Sequence, residues 1–189
     1  NKEIKKSRIP LIIKLNGKTN LYKGDPFSEP ICTVEEAIKL GASAVGFTIY
    51  IGSEKEAHML RHFAEIEKKA HAKNLPVIAW IYPRGGKVKN DVSREIVAYA
   101  CRVGLEIGAD MVKVKCGNIK DDLPWAVKSA GRTKVVIAGG AKKFEKEFLQ
   151  DVREIMKTGV AGVAVGRNVW KSENPLKVAR EIRKEVFGK

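Results

Sequence analysis

Short runs of β-branched residues alternate along this 189-residue chain with longer amphipathic stretches. Six of the runs are typical of strands, at residues 9–15, 44–50, 76–82, 110–115, 134–138 and 162–165. The stretches between them carry helix signals: Thr33 and Ser53 each precede a glutamate by three residues, as in a capping box, and Asn74 or a glycine ends several of them. Strict alternation of strand and helix predicts an α/β fold with a parallel sheet of βα units.

Polar side chains within the strands distinguish an open sheet from a closed barrel. An open sheet is covered by helices on both faces, so its strands are apolar throughout. Three strands of this chain carry polar or aromatic residues on one face: Lys14 with Asn16, Trp80 with Tyr82, and Lys113 with Lys115. Such residues near strand ends fit the interior of a (βα)8 TIM barrel, whose reactive groups gather at the carboxyl rim. The chain supplies about six of the eight units.

The fourth of these strands carries two lysines on one face. Side chains alternate across a strand, so Lys113 and Lys115 point one way while Val112 and Val114 point the other. Desolvation and a second nearby cation both lower a lysine pKa, and a neutral amine can form a Schiff base with a carbonyl substrate. The alternative is an edge strand whose lysines simply reach water.

The last two strands end in small residues followed by basic ones. One ends in Ala138-Gly139-Gly140 and the other in Gly166-Arg167. Glycine exposes backbone N–H groups to an anion, arginine can hold phosphate oxygens with two hydrogen bonds, and the last two loops of this barrel form its usual phosphate site. The alternative is an ordinary turn beside a surface ion pair.

The third strand ends in aromatic residues and an arginine. Trp80 and Tyr82 share one face, where they either fill a core or place a phenol beside a cationic amine. In the second case Tyr82 could move a proton, and Arg84 could hold a second anion.

Composition narrows the class of protein. The net charge of +14 favours an anionic partner, either nucleic acid or phosphorylated metabolites. No basic stripe with interleaved aromatics appears, so we expect no specific nucleic-acid partner, and the scattered lysines fit a well-solvated surface. No long apolar run or signal peptide is evident, which predicts a cytoplasmic protein without a membrane partner.

The sequence holds little evidence of a metal site. The three cysteines lack it and are expected to be reduced thiols. His58 and His62 are spaced i, i+4, but no further pattern completes a site, so we predict no metal.

Together these motifs resemble the archaeal-type class I fructose-bisphosphate aldolases. The resemblance rests on Lys14-Leu15-Asn16-Gly17-Lys18-Thr19, the stretch from Trp80 to Gly86, the lysine strand, Ala138-Gly139-Gly140 and Val165-Gly166-Arg167-Asn168. It implies a TIM barrel that reversibly cleaves fructose 1,6-bisphosphate to dihydroxyacetone phosphate and glyceraldehyde 3-phosphate, without metal or cofactor. It also implies a homo-oligomer.

The resemblance assigns a role to each candidate residue. Lys113 would be the Schiff-base lysine and Tyr82 the acid or base. The residues expected to bind substrate are Trp80, Arg84, Lys115, Ala138, Gly139, Gly140, Gly166 and Arg167. We expect Lys115 to keep Lys113 neutral or to bind phosphate.

Three departures qualify this picture. The family has two further βα units and an aspartate before the first strand, so we expect residues 1–189 to form a single, N-terminally incomplete aldolase domain. Cys116-Gly117-Asn118 replaces the aromatic-containing turn that is common after the sixth strand of the family's barrel, and Ala138 stands where serine is frequent. Ala-Gly-Gly also occurs in the related 2-amino-3,7-dideoxy-D-threo-hept-6-ulosonate synthase, which is the alternative enzyme. A non-enzymatic polyanion-binding protein is the alternative of another class.

Overall fold

The computed structural model describes residues 6, 9–19, 21 and 23–188. Strands in these ranges are β1 Ile12–Lys14, β2 Asn16–Gly17, β3 Glu29–Pro30, β4 Ala44–Ile49, β5 Val77–Ile81, β6 Met111–Val114, β7 Lys134–Ala138 and β8 Gly162–Ala164. Helices are α1 Val34–Lys39, α2 Glu56–His71, α3 Arg94–Glu106, α4 Ile119–Ser129, α5 Glu145–Met156, α6 Arg167–Trp170 and α7 Pro175–Phe187.

Six strands form one parallel sheet in the order β1-β4-β5-β6-β7-β8. Neighbours in the sheet are therefore successive βα units, without the reversal of strand order that marks a doubly wound sheet. The sheet curls into a half-barrel, and all six runs predicted as strands contribute to it. β2 and β3 form a separate antiparallel pair after β1.

The convex face of the sheet packs under the helices. Alternate residues of the central strands are fully buried there, including Phe47 on β4, whose ring meets Phe63 of α2 edge-on with centroids 6.4 Å apart. Val112 and Val114 of β6 lie in the same core. Side chains alternate along a strand, so the residues between these branched ones point to the concave side of the sheet. Lys113 is one of them.

Helix ends follow the sequence signals at most positions. Thr33 caps α1 in a complete capping box with Glu36, and Asn74 adopts the left-handed conformation predicted after α2, with φ of 53°. The capping box predicted at Ser53 is wrong. Its hydroxyl donates to Asp25 at 2.5 Å and accepts from the Lys55 N–H at 3.0 Å, and the Glu56 carboxylate accepts from the Gly52 N–H rather than from Ser53. The helix α2 begins at Glu56 without a side-chain cap.

The first predicted strand is shorter than expected. β1 ends at Lys14, and Asn16 is buried in β2. Its amide donates to the carbonyls of Ser28 and Thr48 and accepts from the Thr48 N–H at 2.8 Å. Asn16 therefore fastens the β2–β3 pair to β4 and is not an inward group of β1. Within the described part of the chain, no helix is both long and apolar enough to cross a membrane.

Candidate active site

The concave face opens into a cavity of about 720 Å³ at the carboxyl ends of β4 to β8. Nine of the ten residues predicted from sequence line it: Tyr82, Arg84, Lys113, Lys115, Ala138, Gly139, Gly140, Gly166 and Arg167. Trp80 is the tenth. It pairs with Lys113 in the β5–β6 register, and the Lys113 Nζ lies 5.7 Å from the centre of its ring. The fold thus brings together residues spread over 88 positions, from 80 to 167.

Lys113 has the environment expected of a nucleophilic amine. Burial of its side chain against the sheet lowers the pKa of Lys113, and the positive charge of Lys14 lowers it further. No carboxylate pairs with Lys113 among the described residues. Both effects favour the neutral amine, which is the form that attacks a carbonyl carbon.

The second cation is Lys14, where the sequence predicted Lys115. Lys115 lines the cavity, but it forms an ion pair with Asp91 in the loop before α3. Lys14 reaches Lys113 from β1, three strands away in the sheet order. Lys115 lies in the cavity, where it could contact a substrate. The cation that lowers the pKa of Lys113 is Lys14.

Gly46 leaves the space that the indole ring of Trp80 occupies next to β4. A Cβ atom built at Gly46 of β4 would stand 1.4 Å from the indole ring. Any larger residue there would push the ring off β4 and change its distance from Lys113. Sequence reasoning missed Gly46, because its contact with Trp80 is a diagonal one between strands: the register pairs Trp80 with Thr48, two residues further along β4.

Two tyrosines and one arginine lie at the ends of β4 and β5, the strands between those of Lys14 and Lys113. The Arg84 guanidinium carbon lies 5.6 Å from the ring centres of both Tyr50 and Tyr82. Burial raises the pKa of Tyr82, and the charge of Arg84 partly offsets this. Tyr82 is therefore a protonated phenol at neutral pH that can donate a proton into the cavity. Tyr50, directly after β4, was not predicted.

Hydrogen bonds join the loops after β7 and β8 into one cradle of backbone and side chains. Arg167 donates to the Gly140 carbonyl at 2.9 Å. Asn168 is buried and holds the β7 loop at three points: it donates to the carbonyls of Gly139 and Ala141 at 2.9 Å each and accepts the Lys143 N–H at 2.8 Å. These bonds hold the β7 loop against the start of α6.

Close packing at this cradle requires glycine. A Cβ on Gly139 would lie 2.8 Å from the side chain of Val165, and one on Gly166 would lie 2.6 Å from the ring of Trp170. The backbone can therefore come close to an anion, and Arg167 supplies positive charge at the same edge.

A second cavity of about 800 Å³ adjoins the first. Arg84 lines both cavities, and the second also contains Lys18, Lys23, Asp25 and Glu54. Arg167 thus lies in the first cavity and the two lysines in the second, and Arg84 borders both. Cationic groups in both cavities suit a substrate with an anion at each end.

Comparison with known proteins identifies the family. Residues 1–172 match the model of the DeoC/LacD family aldolases. The chain is 50% identical over 181 residues to the class 1 fructose-bisphosphate aldolase of Thermoproteus tenax, covering 95% of this chain and 69% of that protein. The chain belongs to the DeoC/LacD aldolase family.

Two further relatives of the family bear on the chemistry. One is the structure of an archaeal fructose-1,6-bisphosphate aldolase with its catalytic lysine bound to the carbinolamine intermediate, 46% identical with a TM-score of 0.92, covering 98% of this chain and 76% of that one. The other is 2-amino-3,7-dideoxy-D-threo-hept-6-ulosonate synthase 1 of Archaeoglobus fulgidus, 39% identical over 179 residues, covering 94% of this chain and 66% of the relative. The predicted TIM-barrel fold is confirmed. The roles of individual residues stay predictions.

Proposed function

We propose that this chain carries the active site of a class I fructose-bisphosphate aldolase, a carbon–carbon lyase that works through a Schiff base on Lys113. The observation that supports this most strongly is the single cavity in which an amine of lowered pKa, a buried phenol and a glycine-rich cationic cradle meet. Similarity to enzymes of this name supports the same conclusion.

The chemistry follows from the two reactive groups. The neutral amine of Lys113 attacks the ketone carbon of dihydroxyacetone phosphate, and the resulting carbinolamine loses hydroxide to form an iminium ion. That hydroxide takes a proton from the adjacent carbon, which gives water and an enamine, and the enamine attacks the aldehyde carbon of glyceraldehyde 3-phosphate. As the C–C bond forms, Tyr82 donates its proton to the aldehyde oxygen. Water then hydrolyses the new iminium ion and releases the product, the proton freed in this step returns to Tyr82, and cleavage follows the same steps in reverse.

The anionic ends of the substrate position the reacting bond. In our proposal, the backbone at Gly139, Gly140 and Gly166 binds one phosphate together with Arg167, and Arg84 contacts the other end. Holding both ends fixes the ketone carbon against Lys113, and such positioning can lower a barrier by about 7–11 kcal/mol.

Borohydride trapping tests the mechanism. The protein is incubated with dihydroxyacetone phosphate, reduced and digested, and the modified peptide is located by mass spectrometry. We expect the adduct on Lys113, its loss in Lys113→Met, and its retention in the matched variant Lys115→Met. Absence of an adduct in the unmodified chain, or its appearance on Lys115, would contradict the proposal.

A second candidate is the related heptulosonate synthase. It is favoured by the 39% identity to the Archaeoglobus fulgidus enzyme and by Ala138 at the start of the phosphate cradle. A substrate panel separates the two enzymes. Formation of the amino-sugar product without cleavage of fructose 1,6-bisphosphate would replace the first candidate with the second.

The partners are proposed on the same basis. A small phosphorylated sugar fits the two cavities with their cationic groups, whereas a nucleic acid or a membrane has no matching surface motif in the sequence. We expect a cytoplasmic protein that forms a homo-oligomer, and light scattering on the purified protein would test the oligomeric state. Binding to DNA or RNA that survives moderate salt would instead favour a polyanion-binding protein.

A further inference from the structure

Three side chains with metal-binding atoms converge beside the active-site rim. His58 and His62 lie one turn apart near the start of α2, and their Nε2 atoms are 2.9 Å apart. Glu29 of β3 reaches them from the other side, with one carboxylate oxygen 3.9 Å from the Nε2 of His58 and the other 3.9 Å from that of His62. Glu29 is the ligand that sequence spacing could not supply.

The separations suit a transition-metal ion. Two atoms bonded to one Zn²⁺ at about 2.0–2.1 Å lie about 3.3 Å apart at a tetrahedral angle. The distance between the two nitrogens is slightly shorter than this value, and the nitrogen–oxygen distances are slightly longer. Small side-chain rotations would therefore place all three ligands on one ion, and a carboxylate would offset part of its charge.

The ligands are held by packed elements. The ring of His58 packs against Phe27 with centroids 5.5 Å apart, and it meets the ring of His62 edge-on at 4.4 Å. Glu29 is fixed in the β2–β3 pair opposite Gly17. A site whose ligands are already oriented loses less freedom on binding.

The third histidine of α2 provides an internal contrast. His71 also has two carboxylate neighbours, but it uses opposite ring nitrogens: Nδ1 faces Glu67 and Nε2 faces Asp110, each at 2.8 Å. No single ion can touch all three. Within the described residues, Glu29, His58 and His62 are the one set of three such side chains whose ligand atoms all lie within 4.8 Å of one another.

We propose that Glu29, His58 and His62 bind one Zn²⁺ ion, with water completing a tetrahedral site. The ion joins β3 to α2. The segment before β3 is already attached to the loop before α2, where Asp25 accepts from Ser53 and from the backbone of Glu54, and it lines the second cavity beside Arg84. The ion thus stabilises this part of the rim, and it takes no part in Schiff-base formation.

Zinc binding to the chelator-treated full chain tests the proposal. Competition against a chromophoric chelator should give one Zn²⁺ per chain, and zinc at 100 times its Kd should raise the Tm by about 5 °C or more. His62→Gln and Glu29→Gln should each weaken binding by about tenfold or more, since even a ligand's hydrogen-bonding partner is worth 10–100-fold. His71→Gln is the matched control and should keep full binding.

Cobalt separates this site from the three cysteines. Co²⁺ bound by imidazole and carboxylate gives visible bands without the near-ultraviolet sulfur charge-transfer band that thiolate ligands produce. We expect that band to be absent. Its presence, failure of the unmodified chain to bind zinc, or unchanged binding in both His62→Gln and Glu29→Gln with native circular dichroism would each overturn the proposal. Borohydride trapping on the zinc-free protein tests Schiff-base formation at Lys113 independently of zinc binding.

Discussion

The polar groups at the amino end of β6 are hydrogen-bonded, whereas Lys113 near its carboxyl end has no oppositely charged partner among the described residues. At the amino end, Asp110 accepts hydrogen bonds from the Val77 N–H and from His71, each at 2.8 Å, and Thr133 donates to the Ala109 carbonyl at 3.0 Å. Every one of these polar groups has a partner. At the carboxyl end, Lys113 lies near another cation and has no carboxylate partner in the described chain.

The contrast separates stability from reactivity. Hydrogen-bonded groups at the amino end tie α2 and three neighbouring strands together, which is the structural role of that end in a barrel. A charge without a partner is costly at the other end, and the cost falls when the lysine is neutral or when substrate binds it. Changes at the carboxyl rim should therefore alter chemistry, and changes at the amino end should alter folding.

The largest effect is expected at the phenol. Tyr82→Phe removes the proton donor but keeps the ring, so kcat should fall by about 10²–10⁴-fold while KM changes little. Steady-state kinetics with fructose 1,6-bisphosphate measures both. Tyr50→Phe is the matched control, because Tyr50 lies equally close to Arg84. Equal losses in the two variants would remove the proposed role of Tyr82.

Asn168 lies at the carboxyl rim, but its side chain is hydrogen-bonded like the groups at the amino end. Its replacement should therefore alter both folding and chemistry. Asn168→Ala removes three hydrogen bonds and should cost about 2–3 kcal/mol of unfolding free energy, together with an increase in KM as the β7 loop loosens. Urea unfolding and kinetics measure the two effects. Asn174→Ala removes only the N-cap of α7 and should lower stability by about 1 kcal/mol with KM unchanged.

The sequence was sufficient for the repeating unit of the fold. Alternating strand and helix signals, with left-handed positions such as Asn74 after α2, mark all six units that the structure contains. The polar face of the strands also favoured a barrel, and the curled sheet agrees. Contacts made by the loop before β3 were not predicted. The hydrogen bond from Ser53 to Asp25 is an example, because the two residues are 28 positions apart in the chain.

The sequence predicted which residues of each strand belong to the candidate site, but it did not predict the contacts between residues of different strands. Lys113, Tyr82 and Arg167 follow from strand ends and from the family resemblance. The influence of Lys14 on Lys113 depends on the order of four strands, and the pairing of Lys115 with Asp91 depends on a loop conformation. Neither leaves a local signal in the sequence.

Lys14 gives a direct test of the cation pair. Lys14→Met removes a positive charge near Lys113, so the pKa of Lys113 should rise and its neutral fraction at neutral pH should fall. Burial, the larger cause of the lowered pKa, remains, and we expect only a several-fold loss. The rising limb of the pH profile for Schiff-base trapping, which follows deprotonation of Lys113, should move to higher pH. Lys14→Arg keeps the charge and should leave the profile in place, and an unchanged profile in Lys14→Met would contradict this account.

The smallest effect is expected at the amino end, at His71. Its hydrogen bond to Asp110, with help from Glu67, raises the pKa of His71 above the ordinary value. The charged form is therefore bound more tightly in the folded chain, and this stability is full below the unfolded pKa of about 6.5 and is lost as pH rises through the folded pKa.

The side chain is 38% exposed, so solvent screens the interaction and its contribution should stay below about 1 kcal/mol. Urea unfolding of the unmodified chain and of His71→Gln from about pH 5.5 to 8.5 measures it, and the difference between them should shrink as pH rises. Schiff-base trapping at Lys113 should be the same in both proteins. A difference in stability that does not vary with pH would show that His71 acts by packing alone, and altered trapping would show that the two ends of β6 are coupled.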